Sequence, residues 1–129
     1  MNQIIADARK TVSLFIEVYR NPASDESNFQ VKYPFSTDPG SKVSDEHIWL
    51  SDIIQKGNAW FGTVGNEPFY IAKMKIGDQV EFDITKISDW MYIKGSTIVG
   101  GKSIKYLIEN IPEKDRDEDM ENIYKMFEK

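Results

Sequence analysis

The chain has 129 residues, 40% of them hydrophobic and 29% charged, which fits one globular domain and excludes a disordered chain. It has no cysteine, so disulfides, thiolate metal sites and a cysteine nucleophile are excluded, and a reducing cytoplasmic setting is expected. Its net charge of −5 argues against nucleic acid, which needs clustered basic residues, and its short apolar runs supply no membrane-spanning helix.

In chain order, the first segment reads as an amphipathic helix over residues 4–20. Ile5, Ala8, Val12, Phe15 and Tyr19 recur at spacings of three and four and form one apolar stripe. The charged start "MNQIIADARK" lacks the unbroken apolar core of an export signal and reads as mature structure. Pro22, within the turn-forming run "NPASDES", ends the helix. The period then changes to two: Phe29, Val31, Tyr33 and Phe35 alternate with Gln30, Lys32 and Pro34, as in a half-buried strand. A polar loop over residues 36–45 leads into a hairpin, with strands near His47–Ile54 and Ala59–Val64. "EPFYIAKM" reads as another short strand with Pro68 at its start. A turn at Gly77 and Asp78 opens a strand with Val80, Phe82 and Ile84 on one face.

Next, "WMYI" and "TIVG" read as a hairpin turning at Lys94, Gly95 and Ser96. Gly100 and Gly101 release the chain from sheet to helix, with Ser103 as N-cap and Pro112 as the stop. A last helix, over residues 117–128, puts Met120, Ile123, Tyr124 and Phe127 on one face. The region from Glu113 to Lys129 holds seven acidic and four basic residues, read as a solvated helix face, with an interaction tail as the alternative. The expected architecture is a single α+β domain over residues 1–129, with flanking helices at 4–20 and 103–128. Between them lies a strongly bent antiparallel sheet, or a partly open small barrel, of about six short strands. The open edges of such a sheet allow either a monomer or a homodimer.

No motif in the chain prescribes a reaction. "GSTIVGGKS" fails as a phosphate loop, because Ser96 stands where the pattern needs glycine. "DRDEDMENIYKM" fails as a calcium loop, with Met120 and Met126 at the glycine and bidentate-glutamate positions. The single histidine, His47, reads either as a hydrogen-bonded structural residue or as a general base oriented by Glu46 or Asp89. No serine sits in a nucleophile elbow, and no ligand spacing supports a metal or other cofactor. Trp49, Trp60 and Trp90 read as core residues or as the walls of a cleft. Asp89 either caps backbone amides or partners His47.

The segments "FQVKYPF", "EHIWL", "FGTVGNEP", "IGDQVEF", "ISDWMYI" and "IVGGKSI", in that order, resemble the bacterial domain-of-unknown-function family 2314, the YegJ-like proteins. The resemblance covers residues 29–107 and leaves the flanking helices outside. One departure is Gly101-Lys102-Ser103, where many members carry an aromatic and a threonine after the glycine. The resemblance implies small bacterial proteins, or modules attached to domains such as ankyrin repeats, with no established reaction. It directs attention to Lys32, Glu46, His47, Trp49, Asn66, Glu67, Pro68, Asp89, Trp90, Met91 and Gly100.

Two functional expectations follow. The first is a non-enzymatic adaptor that binds a protein partner. The second is a small ligand-binding or hydrolase-like domain. Its catalytic candidates are His47, Asp89 and Glu46, and its binding candidates are Trp49, Asn66, Glu67, Trp90 and Lys32. Neither reading calls for a cofactor or a metal.

Overall fold

A computed structural model describes residues 2–127. The amphipathic stripe at the start forms helix α1, Asn2–Arg20, with Ala8 and Phe15 buried along it. Six strands follow: β1 (Glu26–Ser36), β2 (Asp45–Lys56), β3 (Ala59–Val64), β4 (Gln79–Phe82), β5 (Asp89–Lys94) and β6 (Thr97–Gly100). Two short helices close the chain, α2 (Lys102–Glu109) and α3 (Glu118–Lys125). The last helix, expected over residues 117–128, instead ends at Lys125, with Met126 as its C-cap and Phe127 bridging to Ile98 of β6; residue 128 lies outside the described residues.

The strands make one open antiparallel sheet in the order β4-β3-β2-β1-β5-β6. Hairpins join most neighbours, but β5 crosses over to pair with β1 instead of β4. The architecture is therefore α+β with an unclosed sheet.

Two bulges bend its centre, one in β1 between Ser27 and Gln30 and one in β2 between Ser51 and Ile54. At each, a short polar side chain takes a left-handed backbone, Asn28 at φ 55° and Asp52 at φ 47°. These residue types tolerate that region best after glycine.

Alternation along the strands sorts side chains onto two faces. Val31, Ile48, Leu50, Trp60, Val64, Phe82, Trp90 and Tyr92 form the main core with Phe15 of α1. This layer is aromatic: the Phe15 ring lies 5.8 Å from both Phe29 and Trp90, and Tyr19 lies 5.3 Å from Trp60. On the other face a smaller cluster, Met91, Ile98 and Phe127, packs with Trp49, Ile93, Ile104 and Met126. There the chain after α3 returns to β6, and the Ile98 amide donates to the Met126 carbonyl at 2.7 Å.

Three further sequence expectations are corrected. "EPFYIAKM" is loop, because its amides find side-chain acceptors instead of a neighbouring strand. Glu46 accepts from the Phe69 and Tyr70 amides at 2.8 and 2.9 Å, and Asp38 from the Ala72 amide at 2.8 Å. Ile84 lies in a 3-10 turn, Ile84–Lys86, where the Asp83 side chain captures the Thr85 amide and ends β4. Ser103 is not the N-cap of α2; Gly101 holds that position in the left-handed region at φ 64°. Just before it, Gly100 has φ 79°, and a β-carbon there would stand 2.3 Å from the Trp90 carbonyl oxygen. No side chain fits at Gly100, so that glycine is required for the turn into α2.

Candidate functional site

The polar residues gather where β5 stops and β1 runs on. Their last pair is Lys32 with Asp89, while β1 continues beside β2 as far as Ser36 opposite Asp45. The Lys32 carbonyl faces β5 and accepts from the Ser88 amide at 2.7 Å. Pro34, two residues on, therefore turns its missing N–H to the side that β5 has vacated, which is why a central strand accepts proline there. The first turns of α1 fill part of this gap, and the Arg9 guanidinium fastens them by donating to the Ile87 and Lys86 carbonyls at 3.0 and 3.1 Å.

Lys32, Asp89 and Trp49 are cross-strand neighbours in one row on the face away from the main core. His47 lies one pleat further along β2 on that same face. Lys32 Nζ sits 5.9 Å from the Trp49 ring centre and donates to Ser103 Oγ at 3.4 Å. Burial lowers the Lys32 pKa from its ordinary value, and the Asp89 charge works against that shift. Asp89 itself is 2% exposed. Its Oδ1 accepts from the Trp90 amide at 2.8 Å, and its Oδ2 accepts from the Ser103 amide at 2.9 Å and from the Ser103 hydroxyl at 2.6 Å. Asp89 is thus a cap for the first turn of α2, supplied from a distant strand.

His47 finds another partner. Its Nδ1 lies 2.9 Å from Ser88 Oγ, and that hydroxyl donates to the Lys32 carbonyl at 3.1 Å. Nδ1 is thereby engaged with Ser88, which leaves Nε2 as the ring nitrogen open to another partner. The His47 pKa is lowered, first by burial, then by the Lys32 charge; Asp45 opposes this and Arg9 adds to it. Ile5, Lys32, His47, Ser88 and Ser103 line a cleft of about 160 Å³.

The other candidates lie elsewhere. Glu46 holds the loop over residues 65–78, as does Asn66, whose Oδ1 accepts from the Trp49 amide at 2.8 Å. Glu67 lines a broader cleft of about 500 Å³ within that loop, beside Asp38, Tyr70 and Lys75. Trp90 belongs to the main core, where its indole donates to Thr11 Oγ1 at 3.1 Å.

Ser88 was not singled out from the sequence, and neither Ser88 nor Ile5 was expected at the cleft. The signal for Ser88 was the pair Ser88-Asp89 just before a buried strand, where a small hydroxyl can bridge two chains. Among the described residues, no three His, Cys, Asp or Glu side chains converge as a metal site requires. None of their helices is long and apolar enough to cross a membrane.

The geometry is that of an open-sheet α+β module with a small polar cleft and a pinned loop. The chain belongs to the family described as an uncharacterized protein conserved in bacteria, DUF2314, whose match runs over residues 1–123. It therefore takes in α1 and most of the C-terminal helices, a wider span than residues 29–107. The chain is 35% identical over 118 residues to the uncharacterized protein YegJ of Escherichia coli K12, covering 92% of this chain and 73% of that one. It is also 32% identical over 88 residues to a putative ankyrin repeat protein of Neisseria meningitidis serogroup B, covering 68% of this chain and 35% of that protein. No solved structure matches.

Proposed function

We propose that the chain is a non-catalytic module that binds a protein partner through the loop over residues 65–78. The observation that carries this reading is Phe69, which is 84% exposed on a loop fixed by hydrogen bonds. Glu46 accepts from the Phe69 and Tyr70 amides, Asp38 from the Ala72 amide, and the Asp38 amide donates to the Tyr70 carbonyl at 2.9 Å. A large aromatic on a backbone already held in place loses little entropy on docking, which is the character of an interface anchor. Ile76 and Tyr70 extend the exposed apolar surface. The carboxylates of Asp38 and Glu67 beside it, and the net charge of −5, fit a partner with an apolar pocket and a basic rim. The matched segment of the Neisseria protein lies within a longer chain, an arrangement an adaptor accommodates.

Catalysis is less well supported: the Ser103 hydroxyl gives its proton to Asp89, and among the described residues no carboxylate is hydrogen-bonded to His47 to orient it beside Ser88. The Ser88 and His47 pair thus lacks the third, orienting group of a serine-nucleophile triad.

A photo-crosslinking residue placed at Phe69, compared with one at Leu107 on α2, tests the reading in bacterial lysate. A discrete adduct from position 69, absent from 107 and competed away by unlabelled wild-type chain but not by Phe69→Ala, is the expected result. Identical adducts from both positions, or none from 69, would overturn it.

A further inference from the structure

We propose that the cleft between β1, β2 and α2 is a binding site for a short aliphatic carboxylate, held by Lys32 and His47 over an apolar wall. Among the described residues Lys32 forms no ion pair. Its side-chain hydrogen bond there is the 3.4 Å contact to Ser103, so an ammonium with three N–H groups retains donor capacity toward the cleft. Asp89, its neighbour across the sheet, has both oxygens occupied by the Trp90 amide and by Ser103. That carboxylate moderates the Lys32 charge from a distance without quenching its donors. A half-buried cation left in this state is completed by an anion from outside the chain.

The cleft also selects among anions. At about 160 Å³ it takes a compact head and a short stem, well below the hundreds of Å³ of sites for larger ligands. Ile5 supplies an apolar wall, and the Trp49 ring lies beneath the ammonium. The amide at the start of α2 that would otherwise favour a phosphate, that of Ser103, is already held by Asp89. A carboxylate needs fewer donors, and Lys32 with one imidazole N–H satisfies its two oxygens.

Ser88 engages His47 at Nδ1, so an anion in the cleft meets the ring at Nε2, and the imidazolium, with a proton on both nitrogens, holds it best. Binding and protonation are therefore linked. The charged groups around the ring are Arg9 from α1, Lys32 from β1, Asp45 from β2 and, behind Lys32, Asp89 from β5. A bound carboxylate opposes the two cations and raises the affinity of His47 for its proton.

His47 is the only histidine, so its ring gives one unobscured NMR signal in the full chain. Butyrate titrated near pH 6 is expected to shift that signal to saturation, with a Kd on the order of millimolar. The ring's apparent pKa should rise in saturating butyrate, and Lys32→Met should weaken binding about tenfold or more. If Lys32→Met fails to fold, the saturation and the pKa change in the wild type decide the matter. A shift that stays linear in butyrate, an unmoved pKa, or undiminished affinity in folded Lys32→Met would overturn the site. Saturable binding of inorganic phosphate in place of butyrate would overturn the assignment to carboxylates. Phe69→Ala should leave all of these readings unchanged, so this site and the loop surface stand or fall separately.

Discussion

The two faces of the sheet are built from the same strands and do opposite work. On the α1 side, Val31, Ile48, Leu50 and Trp90 are sealed under Phe15 in a dry layer of interlocking rings. On the other side, Lys32, His47, Trp49 and Asp89 stand one residue out of phase, and the smaller apolar cluster covers only part of the surface. Val31, Ile48 and Trp90 thus each have a polar neighbour, Lys32, His47 and Asp89, facing the opposite way. Stability is concentrated on one face, and the groups capable of recognition are concentrated on the other.

The contrast is most severely tested by Phe15→Ala. Its side chain is fully buried, and its truncation should cost about 4 kcal/mol in chemical denaturation. A cost below about 2 kcal/mol would mean that the aromatic layer is not the main source of stability.

On the wet face the largest effect should come from Asp89→Asn. This removes the charge that accepts from the Trp90 amide and from Ser103, with an expected loss of about 2–3 kcal/mol. Amide exchange at Ser103 should accelerate more than exchange at Phe15, because the damage is local to the start of α2.

The smallest effect is a dependence on pH. The His47 pKa is lowered in the fold, so just below its ordinary value near 6.5 the unfolded chain binds more protons than the folded one. Stability should therefore fall as pH drops from about 6.5 towards the folded pKa, and level off for this group below it. Denaturation midpoints across that range should slope less in His47→Gln; an unchanged slope would remove the histidine from the balance of the wet face.

Much of the dry face was legible in the sequence, because helical and strand periods are both written in apolar residues. The α1 stripe through Phe15 and the alternation through Val31 each point to a buried surface. The polar face was half legible. Lys32, His47 and Asp89 could be singled out as candidates, but not their partners. Ser103 reads as a local cap, and only the fold shows that the capping carboxylate comes from Asp89, fourteen positions earlier. The loop after β3 reads as a strand because its apolar residues suggest one. Its amides were in fact claimed by Glu46 and Asp38, and local propensity does not register such long-range acceptors.

The crossover that places β5 beside β1 also bears on how the chain reaches its fold. Ser88 and Lys32 meet across 56 positions, whereas the β2–β3 and β5–β6 hairpins close over a few residues. The hairpins can form on the microsecond scale, while joining β1 to β5 requires closing a long loop before any contact repays the lost entropy. That join also completes the surface on which α1 packs and brings Lys32 to Asp89. The join of β1 to β5 is therefore the expected slow step of folding, and it brings the dry core and the polar cleft together.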